Sequence, residues 1–322
     1  MATRPSLGSL LQNWQRHIAE IEPQPLFDPR TRLIYAFLAA ELVCGVILLA
    51  VLGFSIDPPI LRMFAVWPSL AVCGMLLRRL GYNAVGGAVE ATGLTVSQGA
   101  LSLLVLVPLA AISAPFADKT LSAADIALGF DWQSYVRLSV PWQDPLRFAY
   151  RSFLWQEVVV IGALFASGRS DRCWQFVTAV TIALAITMVI FPFFPAQGPF
   201  VYYGLSRAAY EPIVGPVPWE YLASLSRLKA GYRTFEWSVM QGYVSFPSFH
   251  TVAALLFTWA IWPLRWLRIP VAALNLALIL GALLIGSHYL IDILGGAVVA
   301  YLGVRLARPR GGVHTRTARA RA

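Results

Sequence analysis

A chain of 322 residues that is 58% hydrophobic and only 13% charged is not composed like a soluble domain, where about a quarter of residues carry charge. Its apolar residues fall in long runs, so it reads as a polytopic membrane protein, and counting soluble domains by length does not apply. The net charge of +9 does not point to nucleic acid, because the arginines gather at the ends of apolar runs and in the C-terminal tail, the pattern of membrane topology.

Residues 1–28 are polar and mixed, with no short apolar run and no small-residue cleavage site, so the first apolar segment is expected to be an uncleaved anchor. Eight spans are expected, near 33–53, 62–77, 98–117, 152–167, 173–194, 248–265, 270–286 and 288–306. Residues 81–96 are too polar to span easily and read as a cytoplasmic interfacial helix. With eight spans, every arginine group falls on one side: Arg4, Arg16, Arg30 and Arg32, then Arg78 and Arg79, Arg169 and Arg172, Arg265 and Arg268, and the tail from Arg305. The positive-inside bias puts that side in the cytoplasm, with both termini. Two long connections, 118–151 and 195–247, lie opposite, and the aromatic residues of the second (Trp219, Tyr221, Tyr232, Phe235, Trp237) predict a folded loop. Cys44, Cys73 and Cys173 are an odd number inside or beside apolar runs and predict neither a disulfide framework nor a zinc knuckle.

His17 and His314 lie in polar tails, whereas His250 and His288 open two apolar spans on the non-cytoplasmic side. Ionisable residues at such positions are costly and are functional candidates. In SFPSFHT, Ser248, Phe249 and His250 follow Pro247 at the first turn of a span, where free N–H groups could hold a phosphate. In GSHYLIDILGG, His288 and Asp292 are four residues apart, so the carboxylate can accept from one imidazole nitrogen and raise the basicity of the other. That is a nucleophile with its orienter, and His250 could protonate a leaving oxygen. The same residues could instead be structural, or two histidines and a carboxylate could ligate a metal. Glu41 and Asn275 read as interhelical contacts, and Asp118, Asp125 and Asp131 as headgroup contacts or helix caps.

SFPSFH and HYLID resemble the second and third signature motifs of the type 2 phosphatidic acid phosphatase superfamily, and the separation of 38 residues between His250 and His288 suits the helical hairpin between them. The form FPSFH with HYLID is most similar to the branch that includes the aureobasidin-sensitive inositol phosphorylceramide synthases and bacterial relatives, and ADKTLSAADIALGFDW resembles an upstream signature of those relatives. The resemblance covers about 80–320 and implies a phosphohistidine on His288, orientation by Asp292, leaving-group protonation by His250, phosphate contacts from Ser248 and the N–H groups around Phe249, and no metal or other cofactor. The chain departs from the family pattern where a Lys and an Arg-Pro would grip phosphate. FPFFPAQGPF has Phe191 and Gly198-Pro199 there, and Ala282 replaces an Arg six residues before His288. Same-side cations that could compensate are Arg147, Arg151, Arg207, Arg227, Lys229 and Arg233, of which Lys229 and Arg233 are nearest His250 in sequence; Gln197 could add a neutral donor.

The expected fold is an all-α membrane bundle of eight transmembrane helices with a six-helix lipid-phosphatase-like core. Residues 1–80 would be a tail with two extra helices, 81–310 the catalytic domain and 311–322 a basic tail. The expected function is a lipid phosphatase or phosphotransferase of a bacterial inner membrane, its site facing the periplasm. Its partners would be membrane lipids, a lipid phosphate substrate and a water or alcohol acceptor such as inositol or a sugar. A transporter or channel with a polar His/Asp site is the alternative class.

Overall fold

The computed structural model describes residue 8, residues 29–240 and residues 242–308. Arg4, Arg16, His17, His314 and the basic tail 311–322 lie outside the described residues. In chain order the helices are α1 (Pro29–Val51), α2 (Pro58–Arg79), α3 (Asn83–Ile112), α4 (Asp118–Ala127), α5 (Trp132–Ser139), α6 (Gln143–Ala166), α7 (Ser170–Ile190), α8 (Pro199–Tyr202), α9 (Arg207–Val214), α10 (Val217–Lys229), α11 (Phe249–Ile261), α12 (Arg268–Leu284) and α13 (Leu290–Leu306). Among the described residues, five stretches are long and apolar enough to cross a membrane: Thr31–Val51, Pro58–Arg79, Asn83–Ile112, Trp132–Ala166 and Ser170–Phe193. The shorter α11, α12 and α13 pack among them, α11 against α6, α7, α12 and α13. The protein is an all-α polytopic bundle and an integral membrane protein.

Two spans differ from the sequence reading. Residues 81–96 are not a separate interfacial helix; they are the first half of α3, which runs unbroken for 30 residues. Glu90, Thr95 and Ser97 find partners inside protein, as hydrocarbon requires. Glu90 is fully buried and accepts from Arg78 Nη1 at 2.5 Å and from Tyr35 Oη at 2.8 Å. Thr95 and Ser97 donate back to the carbonyls of Ala91 and Gly93 on their own helix. The expected span 152–167 likewise starts earlier, because α5, a 3-10 turn (Val140–Trp142) and α6 follow one another without a break. Pro141 and Pro145 fall in first turns, where a missing N–H costs nothing.

The long connection 195–247 is folded, as its aromatic content predicts. It forms α8, α9, α10 and a two-residue strand, β2 (Thr234–Phe235), which pairs in parallel with β1 (Ser55–Ile56) between α1 and α2. Phe235 and Tyr243 are fully buried beneath it. One end of the bundle therefore gathers the α1–α2 turn, α4, α5, the long connection and the starts of α11 and α13. Arg78 and Arg172 lie at the other end, where Arg172 donates to the Trp259 carbonyl and stacks over the Trp259 ring.

Helices α2 and α3 approach through glycine, which lets helix backbones touch. A Cβ at Gly74 would sit 2.2 Å from the Glu90 nitrogen, and one at Gly93 would sit 2.3 Å from the Ala71 nitrogen. Gly99, on the same helix, has nothing within 4 Å. Gly93→Leu is expected to split this hairpin and cost at least about 1–3 kcal/mol, read as a lower unfolding temperature of the detergent-purified protein. Gly99→Leu is expected to leave that temperature unchanged; equal effects at the two positions would contradict the packing account.

Candidate active site

Two helix starts meet at the gathered end. Ser248 caps α11, its hydroxyl accepting from the Thr251 N–H at 3.4 Å, and the preceding Phe246–Pro247 peptide is cis. Tyr289 is the N-cap of α13, and Asp292 in its first turn reaches back to accept the Tyr289 N–H at 3.0 Å. The Ser248 N–H donates to the Asp292 carbonyl at 3.0 Å and joins the two starts. Gly296 makes the approach possible, since a Cβ there would lie 2.5 Å from the Ser248 carbonyl oxygen.

His288 is not on the α13 helix, as the four-residue spacing suggests, but in the turn before it, next to Ser287 at φ 53°. The pair forms nonetheless. His288 Nδ1 lies 3.2 Å from Asp292 Oδ2, which also accepts from Ser245 Oγ at 3.0 Å. A carboxylate in that place accepts a hydrogen bond from Nδ1–H and leaves Nε2 with its lone pair. The Trp132 indole donates to the His288 carbonyl at 3.1 Å and holds the turn from the other side.

His250 enters from α11, its ring centroid 5.9 Å from that of His288 at 63° between planes. Both rings line one cavity of about 460 Å³, within the range of small-molecule sites. Tyr150, Gln197, Tyr221, Ser245 and Ser287 also line it, together with mainly apolar side chains; among the described residues no Lys or Arg does.

The segment DKTLSAAD braces this arrangement from outside. Asp118 accepts from the N–H groups of Gln197 (2.8 Å) and Gly198 (3.1 Å) and from the Tyr289 hydroxyl (2.9 Å). Asp125 accepts from the N–H groups of Leu290 (2.9 Å) and Ile291 (2.8 Å), so it caps α13 from a distant part of the chain. Burial pushes both carboxyls above the usual range, against the pull of these hydrogen bonds. Asp131 caps its own helix α5.

The structure thus brings His250, His288, Asp292 and Gln197 together and leaves other expected contacts elsewhere. Lys229 does not reach the cavity; its ammonium donates to the carbonyls of Ser113 and Ala114 at the end of α3, where a cation suits the free carbonyls. Nor does Arg233, because β2 pairs with β1 and carries it away. It donates to the carbonyls of Leu228 and Tyr232 and lies over Phe54. Arg147, Arg207 and Arg227 hold carbonyls or carboxylates of their own, and the exposed Arg151 is not in the lining. The Ser248 hydroxyl is fully buried as a cap rather than turned into the cavity. Phe249 packs its ring in the core, while its N–H and that of His250 have no acceptor among the described residues. Sequence reasoning missed Ser245, Ser287, Tyr150 and Trp132. Ser245 stands just before the Phe-Pro-Ser motif, and nothing in the local pattern marks the other three.

Such a site in a membrane bundle, with two imidazoles on one cavity and a buried carboxylate behind one of them, is the equipment of an enzyme. A family model of the PAP2 superfamily matches residues 119–306, more than half of the chain, and the chain belongs to that superfamily. Membership supports a phosphatase or phosphotransferase of lipid phosphoesters. No curated protein and no solved structure matches the chain.

Asp125→Ala would strand the Leu290 and Ile291 N–H groups. It is expected to cost about 1–3 kcal/mol in thermal unfolding and to lower activity with it, while Asp125→Asn, which keeps one acceptor oxygen, loses less. An alanine variant as stable as the parent would contradict the brace.

Proposed function

We propose that the protein cleaves or transfers at a lipid-linked phosphoester through a phosphohistidine on His288. The observation that carries this is the convergence of His250 and the Asp292-held His288 on one cavity. His288 Nε2 attacks phosphorus, Asp292 takes up the imidazolium charge at Nδ1, and His250 gives its proton to the departing alkoxide. In the second half His250, now neutral, takes the proton of water or an alcohol as its oxygen attacks the phosphohistidine, and His288 leaves as free imidazole. No step requires a cofactor. The free N–H groups of Phe249 and His250, with the Gln197 and Ser287 side chains, are the donors for phosphate oxygens.

Transfer to an alcohol is the favoured outcome. A cavity with no cationic lining suits the single negative charge of a phosphodiester better than the dianion of a monoester. The alcohol would be a hydroxyl compound such as inositol or a sugar. The catalytic domain of this reading is 81–310. The basic end would face the cytoplasm of a bacterial inner membrane and the site the periplasm, where substrate can enter sideways from the lipid.

The test is turnover of phosphatidylinositol, phosphatidylglycerol and phosphatidic acid by purified protein, with and without added alcohol. Release of diacylglycerol, with a new phosphoester when alcohol is present, is expected. His288→Ala is expected to abolish it and His250→Ala to reduce it about 10²–10⁴-fold. Full turnover by His288→Ala would sink the mechanism, and no reaction by the parent on any lipid would favour a transporter.

A further inference from the structure

His288 is held by a carboxylate, but among the described residues no group hydrogen-bonds to the His250 ring. Its position is set by aromatic rings instead. Tyr150 of α6 stacks on it at 4.4 Å between centroids with 23° between planes, and Phe153, one turn on, lies tilted at 4.8 Å. The remaining neighbour is His288 itself. The approach of α6 to this end is built in by glycine. A Cβ at Gly281 would sit 2.7 Å from the Leu146 carbonyl oxygen, and one at Gly286 would sit 2.9 Å from the Tyr150 ring and 3.0 Å from His288 Cδ2.

The face of an aromatic ring carries negative electrostatic potential and attracts a cation placed over it. An imidazolium over such a face, as His250 lies over Tyr150, is favoured in its charged form, and a stacked ring cannot turn freely about its side-chain bonds. An acid that must aim one N–H at a leaving oxygen needs both effects, and no hydrogen bond supplies either.

We propose that Tyr150, assisted by Phe153, is the positioning residue of the general acid: its ring face, not its hydroxyl, orients His250 and sustains its proton. This rests on the proposed assignment of His250 and is separable from it. The experiment compares the single-turnover rate of leaving-group release, which excludes the second half-reaction, for two esters of one phosphoryl group: the lipid ester that the protein turns over and its analogue with 4-nitrophenol in place of the departing lipid alcohol. Nitrophenolate leaves without a proton, so only the first ester needs the acid.

His250→Ala is the reference and is expected to lose far more on the lipid ester than on the nitrophenyl ester. Tyr150→Leu is expected to lose about 10–100-fold in the saturating single-turnover rate on the lipid ester, with the half-saturating concentration changed less than about threefold, and to keep most of that rate on the nitrophenyl ester. Phe153→Leu should repeat the pattern more weakly, and Tyr150→Phe should stay within about threefold of the parent on both. Equal losses on the two esters for Tyr150→Leu and Phe153→Leu would reduce the stack to ordinary packing and overturn the proposal. Loss in Tyr150→Phe matching that in Tyr150→Leu would overturn it in favour of the hydroxyl. If His250→Ala itself loses equally on both esters, the acid assignment fails and Tyr150 has nothing to position.

Discussion

The hydrogen bond from the Ser248 N–H to the Asp292 carbonyl ties the first turn of α11 to the first turn of α13, and the site is built around it. Two helix starts inside a bundle bring several N–H groups with no partner in their own helix, and each must be satisfied or stay costly. Here most are. The Ser248 hydroxyl takes one, Asp292 takes the Tyr289 N–H, and Asp125 takes those of Leu290 and Ile291. The N–H groups left free are those of Phe249 and His250, beside the cavity that His250 lines. A single side-chain atom at position 296 would push the two starts apart.

Charge is handled unusually for a site proposed to receive a phosphate. Three buried aspartates stand close by, yet each is spent on donors of the chain: Asp118 on the 197–198 turn and Tyr289, Asp125 on α13, Asp292 on His288 and its neighbours. Lys229, Arg233 and Arg227 of the same end are spent on carbonyls and carboxylates away from the cavity, and Arg151 is exposed outside its lining. What remains to meet an anion is imidazole, amide and hydroxyl groups. That combination supports a weakly charged phosphodiester as substrate and a proton, rather than an arginine, as the main positive charge near the leaving group.

The histidine site was legible in the sequence because its chemistry is local. Pro247 and Ser248 before His250, and Asp292 four residues after His288, are patterns that helix starts impose. The apolar runs were legible for the same reason. What the sequence hid was tertiary. The polar first half of α3 looked unfit for a membrane because the partners of Glu90 are Arg78 and Tyr35, on two other helices. Lys229 and Arg233 looked close to His250 along the chain, but the end of α3 and the β1–β2 pairing claim them. Asp118 and Asp125 read as headgroup contacts or local caps, whereas they brace segments about 80 and 165 residues away. Tyr150 carried no signal, since an aromatic residue on an apolar helix is ordinary.

The central claim, that phosphorus passes through a covalent bond to His288, is open to direct capture. Protein mixed with a phosphorus-32-labelled lipid phosphoester, quenched in alkali within one turnover and digested for mass spectrometry, should carry label on the peptide containing His288. That bond should survive base, be lost in acid and be absent from His288→Ala. Turnover without labelled protein, or label on a different residue, would contradict the account.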